Sequence, residues 1–198
     1  MFTLLIYASN SQLYLPFGVI DMSKFWGGVM AACLVLPMGA QAADHPIGQP
    51  IEANGMKIAV AYIQAVTMDP QDEMCGPVEA DIHMTAQIHA EKGNPLGFGE
   101  GQWIPNLGVT FEISRRGSAF DVKGTLVPMV AQGGPHYGRN LKLDGPGRYH
   151  VTLRVTPPSN RGFYRQTVNE GVDEDWDQPI TRDLDFVFIG SPGKKGGY

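Results

Sequence analysis

The chain has 198 residues, with 15 Lys and Arg against 20 Asp and Glu and a net charge of −5. A mildly acidic protein with no basic cluster is poorly suited to nucleic acid or to an anionic membrane surface, and the isolated Lys194-Lys195 reads as a solvated tail. There are two cysteines; Cys33 falls in an apolar leader, so Cys75 stands alone and no disulfide within the folded part is expected.

Residues 1–42 read as a signal-peptide region. Lys24 precedes the apolar run Phe25 to Pro37, and Ala40-Gln41-Ala42 follows as a small-residue exit. The run is well short of the ~20 apolar residues that a membrane-spanning helix needs. Met22 is the better start, and cleavage after Ala42 begins the mature chain at Ala43. The expectation is an exported, periplasmic protein, not inserted in the membrane. Residues 43–198 are enough for one domain with its own core.

Glycine and proline divide that domain into short segments with no sustained helical period. Met56 to Ile63 reads as a strand after the Asn54-Gly55 turn. Asp81 to His89 alternates, with Ile82, Met84, Ala86 and Ile88 on an apolar face and His83, Thr85, Gln87 and His89 on a polar one. Leu107 to Ile113 alternates and turns at Arg115-Arg116-Gly117-Ser118, and Phe120 to Val127 returns. Tyr149 to Val155 runs to Pro157-Pro158, and Leu184 to Phe188 closes the sheet. Period-two alternation between turn residues predicts an all-β, antiparallel sandwich.

The chemistry-bearing residues are soft-metal donors. His83 and His89 share a strand face but stand ~20 Å apart along it, so only one can belong to a given site. In Val127 to Gly138 a strand end carries Met129, a Gly-Gly-Pro turn follows, and His136 sits at the turn's tip, where it can fold back beside Met129. A thioether with an imidazole suits copper, whereas Met is an unusual zinc ligand. Each segment alone also admits a plainer account, as surface histidines or as a packed methionine. Met68, Met74 and Cys75 precede the His83 strand and read as walls of the site or as a second soft site. His150 reads as a surface residue, and His45 with the mature amino terminus as an incidental metal motif. No G-x-S-x-G elbow, phosphate loop or H-E-x-x-H motif points to hydrolytic or nucleotide chemistry. The loop Gly97 to Gly101 reads as a tight turn.

Three blocks in order, Asp81-Ile82-His83, Gly97 to Pro105 (GFGEGQWIP) and Met129 to Gly138 (MVAQGGPHYG), resemble the periplasmic copper proteins of iron uptake. That family accompanies bacterial high-affinity iron permeases and includes the treponemal lactoferrin-binding lipoprotein. The likeness runs from about Gly48 to Gly190 and continues through Pro157-Pro158, Gly171-Val172 and Trp176. The resemblance implies an immunoglobulin-like sandwich, a homodimer, and copper held by His83, Met129 and His136. It implies an inner-membrane iron permease as partner and iron as the transported ion. The family's further histidine falls at Gln166, and the Glu that follows its first histidine by two residues is Thr85 here. The primary site is therefore reduced to three protein ligands, with Gln166, Glu100 or Met68 as candidates for the vacant position. A metal-binding accessory of iron acquisition is the leading expectation. A periplasmic ferroxidase and a copper or zinc carrier unconnected with iron are the alternatives.

Overall fold

The computed structural model describes residues 44–158, 162–166, 168–169, 171–172 and 178–190. The signal region 1–42, Trp176 and Lys194-Lys195 lie outside them. Among the described residues nine strands follow one another: β1 His45–Pro46, β2 Ile51–Ala53, β3 Met56–Gln64, β4 Ile82–Ala90, β5 Gly108–Arg115, β6 Asp121–Ala131, β7 Gly134–Leu141, β8 Gly147–Thr156 and β9 Ile180–Phe188. A 3-10 turn, Glu73–Cys75, lies between β3 and β4, and the described residues contain no α-helix. No helix among them is long and apolar enough to cross a membrane.

Every strand pairing is antiparallel, and the strands form one continuous sheet in the order β1-β3-β4-β7-β6-β5-β8-β9, with β2 also on β3. The all-β antiparallel expectation therefore holds. The sheet is a nearly closed, barrel-like wrap, and β6 makes it continuous. Asp121 to Leu126 pair with β5, while Val127 to Ala131 pair with β7. Pro128, with no N–H to give a ladder, falls just where β6 leaves β5. The far edges approach through side chains: Tyr62 donates its hydroxyl to the Val187 carbonyl at 3.2 Å and packs on Phe186 and Phe188.

Local sequence accounts for the register. Asn54 and Gly55 both have positive φ, 49° and 65°, and join β2 to β3 as a two-residue hairpin with Ala53 opposite Met56. That geometry favours Asn-Gly because its backbone twist matches the strands. From there Met56, Ile58, Val60 and Tyr62 point inward against Ile82, Met84, Ala86 and Ile88. Phe111, Ile113, Tyr149, Val151 and Leu153 line the opposite wall of the same core. Slipping one strand by a residue would turn its whole apolar set outward, so burial locks the pairing.

Candidate metal centre

The site forms on the outer face of β4, β7 and β6, the side away from the core. Tyr137 and Leu141 of β7 point inward, so His136, Gly138 and Asn140 point outward. Three pairings bring the neighbours into place: His83 opposite Asn140, Thr85 opposite Gly138, and Met129 opposite His136. Gly138 also stands opposite Val127. His83, Met129 and His136 thus converge on Gly138 from two adjacent strands and its own.

Gly138 has to be a glycine for this convergence. A Cβ there would lie 2.5 Å from His83 Nε2 and 3.0 Å from Met129 Sδ. Both donor atoms therefore lie within 3.0 Å of a single point that the missing side chain leaves open. The His83 and His136 rings are 6.0 Å apart, nearly perpendicular at 85°. An imidazole centroid lies about 3 Å from an ion bound through its nitrogen at ~2.0 Å, so the two rings can share one ion.

Hydrogen bonds decide which nitrogens are free. His83 Nδ1 is 3.1 Å from Asn140 Oδ1, and His136 Nδ1 is 3.3 Å from the Gly134 carbonyl. Both partners are oxygens that only accept, so in the neutral form of either ring the proton sits on Nδ1 and the lone pair on Nε2. His83 Nε2 is fully buried with no hydrogen-bond partner. Leaving a buried nitrogen unpaired costs ~1–3 kcal/mol, and a bound metal ion would remove that cost. Burial, foremost, pushes the His83 pKa down to about 4; the Asn140 bond opposes the shift and the charge of His136 adds to it. The imidazole is thus held in its neutral, ligating form well below neutral pH.

A cavity of about 640 Å³ opens over this face, lined by His83, Met129 and His136 together with Met68, Met74 and Cys75. The sulfur-bearing loop therefore walls the same site. It also explains why His83, on the face read as polar, is 1% exposed, while His89 six residues on is only partly buried. Asp72 caps the turn by accepting from the Met74 and Cys75 N–H groups at 2.9 and 3.1 Å. Cys75 is a free, buried cysteine, its Sγ 3.4 Å from the Pro70 carbonyl.

Other candidates fall elsewhere. His89 bridges to Trp103, outside the cavity. Glu100 is exposed in its glycine turn, and Gln166 is exposed and donates to the Val168 and Asn169 carbonyls. Neither lines the cavity within its own chain. His150 is engaged by Asp183 and Asp185 on the surface, and His45 stacks on Tyr62. His136 lies not at a turn tip, as its Gly-Gly-Pro setting suggests, but as the third residue of β7, facing Met129 across the ladder. Asn140 carries no signal in the sequence, because β7, rich in glycine and proline, lacks the alternation that marks a strand. Among the described residues no three His, Cys, Asp or Glu groups converge, and the further soft donors that line the cavity beside the two imidazoles are the sulfurs of Met129, Met68, Met74 and Cys75.

The family described as Fe2+ transport protein matches residues 41–190. The chain belongs to that family. A UPF0423 protein of Brucella abortus is 44% identical over 168 residues, covering 83% of this chain and 92% of the relative. The 34 kDa membrane antigen of Treponema pallidum is 34% identical over 169 residues, covering 80% and 82% respectively. Among solved structures, copper-reconstituted P19 from Campylobacter jejuni is 39% identical with a TM-score of 0.71, covering 76% of this chain and 99% of P19. A copper-bound variant of FetP from uropathogenic Escherichia coli strain F11 is 38% identical with a TM-score of 0.71, covering 75% and 99%. The chain thus shares its fold with copper-bound relatives along nearly their whole length.

Proposed function

We propose that this chain is an exported copper-binding protein of iron uptake, holding one copper ion through His83 Nε2, Met129 Sδ and His136 Nε2. The observation that carries the reading is the buried, unpartnered His83 Nε2 beside the Met129 sulfur, over the gap left by Gly138. Two neutral imidazoles and a thioether are a soft donor set that fits copper, above all Cu(I), better than zinc or magnesium. Copper held there would supply one-electron redox capacity next to the iron being handled. The chain's own part is to fix the donor tautomers, keep His83 neutral and wall the site from bulk water with the loop from Val66 to Cys75.

The finer parts of the reading are a periplasmic location after removal of residues 1–42, a homodimer, an inner-membrane iron permease as recipient, and iron as cargo. The dimer is supported by Val130 and Met74, apolar side chains 78% and 50% exposed at the cavity rim. A second copy would cover them, and Gln166 or Glu100 could then reach the site only from that copy. The immunoglobulin-like arrangement belongs to the same reading, since the partner switch of β6 divides the sheet into two hydrogen-bonded halves around one core.

The test is the metal content of protein purified from the periplasm and dialysed. One copper per chain, lost in His136→Ala, is expected; no retained copper contradicts the reading. Copper-loaded protein that consumes Fe(II) no faster than His136→Ala acts as an accessory rather than a ferroxidase.

A further inference from the structure

Asn140 lies behind the donor set, and its side chain is 1% exposed. Its amide makes three contacts. Nδ2 donates to the Val66 carbonyl at 2.7 Å, Oδ1 accepts from the Val66 N–H at 3.3 Å, and the same Oδ1 is 3.1 Å from His83 Nδ1. The Val66 peptide fixes the orientation of the amide. Turned over, the amide would set NH2 against an N–H and oxygen against a carbonyl, breaking both bonds. With Oδ1 held toward His83, Nδ1 must be the protonated nitrogen and Nε2 must carry the lone pair into the cavity.

An imidazole in water favours the opposite tautomer, whose proton on Nε2 keeps that nitrogen from ligating. Selecting the ligating tautomer therefore requires an acceptor at Nδ1, the role an outer partner plays for metal-bound histidines. Here the acceptor is a neutral amide rather than a carboxylate, so it directs the proton without adding charge to the buried site. The same amide ties His83 to the loop that walls the cavity. That loop is anchored again at its far end, where the Arg139 guanidinium donates to the Met74 and Glu73 carbonyls at 2.7 and 2.8 Å. Gly76 passes so close to the Asn140 carbonyl that a Cβ would fall 2.0 Å from it.

We propose that Asn140 is the positioning residue of the copper site. Through its two bonds to the Val66 peptide it locks His83 in the Nδ1–H tautomer. The proposal deepens the copper reading and rests on it.

The test reads the His83 tautomer from two-bond 1H–15N correlations in apo protein at pH 8, with the signal assigned against His83→Gln. Copper affinity is measured by chelator competition on the same samples. Wild type should show Nδ1–H. Asn140→Leu should move the proton toward Nε2 and weaken copper binding about 10–100-fold, the usual cost of losing an outer partner. Asn140→Asp keeps an acceptor at Nδ1 while losing the donation to Val66, and should retain the tautomer and an affinity within about threefold of wild type. A wild-type His83 protonated on Nε2 overturns the proposal without recourse to any variant. Equal loss of affinity in Asn140→Leu and Asn140→Asp, with the tautomer unchanged, overturns it as well. Wild type that shows Nδ1–H but binds no copper sinks the copper reading while leaving the tautomer lock standing.

Discussion

Gly138 and His83 share one small volume: a methyl group on Gly138 would stand 2.5 Å from His83 Nε2. The same methyl would be 3.0 Å from Met129 Sδ, so Gly138→Ala puts carbon where the donors converge. Gly138 does not adopt a positive φ, so its backbone accepts alanine. The cost to stability is of the overpacking kind, about 1–3 kcal/mol. Copper affinity should fall at least ~10-fold while the cooperative unfolding transition persists. Chelator competition beside a thermal melt checks both. Wild-type affinity in Gly138→Ala would mean that the ion does not bind there.

Met129 is the donor that sets metal preference. Met129→Leu keeps the apolar volume and removes the sulfur. Cu(I) affinity should drop at least ~10-fold, with a smaller effect on zinc, because thioether binds the soft ion and zinc rarely uses it. Against relatives with a fourth histidine, this chain should favour Cu(I) over Cu(II) more strongly, since Cu(II) prefers tetragonal nitrogen and oxygen donors. Parallel titrations with both oxidation states measure the ratio, and equal selectivity in the two kinds of protein would refute the three-donor account.

The depressed pKa of His83 has a stability consequence with a definite sign. In the folded protein the imidazole takes a proton near pH 4, against 6.5 for the free side chain. Between those values the unfolded chain binds more protons, so apo stability rises with pH across the window and falls on acidification. The loss from pH 7 to below pH 4 attributable to this one group is about 3 kcal/mol. His83→Gln should flatten the dependence. Urea midpoints at steps from pH 4 to 7 test it; parallel slopes in the two proteins would show that His83 is not the group responsible.

Tyr137 lies between the two outward positions His136 and Gly138 but points into the core, fully buried. Its hydroxyl accepts from the Leu107 N–H at 3.0 Å and donates to the Ile104 carbonyl at 2.8 Å. Tyr137→Phe strands both backbone groups and should cost about 1–3 kcal/mol in urea unfolding with the m-value unchanged. A change under half a kcal/mol would mean that water replaces the hydroxyl.

Much of this was legible in the sequence, and the exceptions share a cause. Strands with an apolar face, such as Met56 to Ile63 and Tyr149 to Val155, announce themselves because burial imposes a period of two. The Asn54-Gly55 hairpin was readable for the same local reason. β7 was not, because Gly134, Pro135 and Gly138 are poor strand formers; that composition serves the site, and the strand is held by its neighbours β4 and β6. The pairing of His136 with Met129 was near the sequence reading, but Asn140 and Gly138 act through the register between strands, which no single segment contains. The burial of His83 was equally hidden, since the loop that covers it precedes its strand in the chain.

A crystal structure of the copper-loaded protein, with anomalous scattering recorded at the copper edge, locates the ion. One strong peak per chain is expected above Gly138, bonded to His83 Nε2, Met129 Sδ and His136 Nε2. Copper held elsewhere, at Cys75 or at the amino-terminal His45, with His83 Nε2 still unliganded, would contradict it.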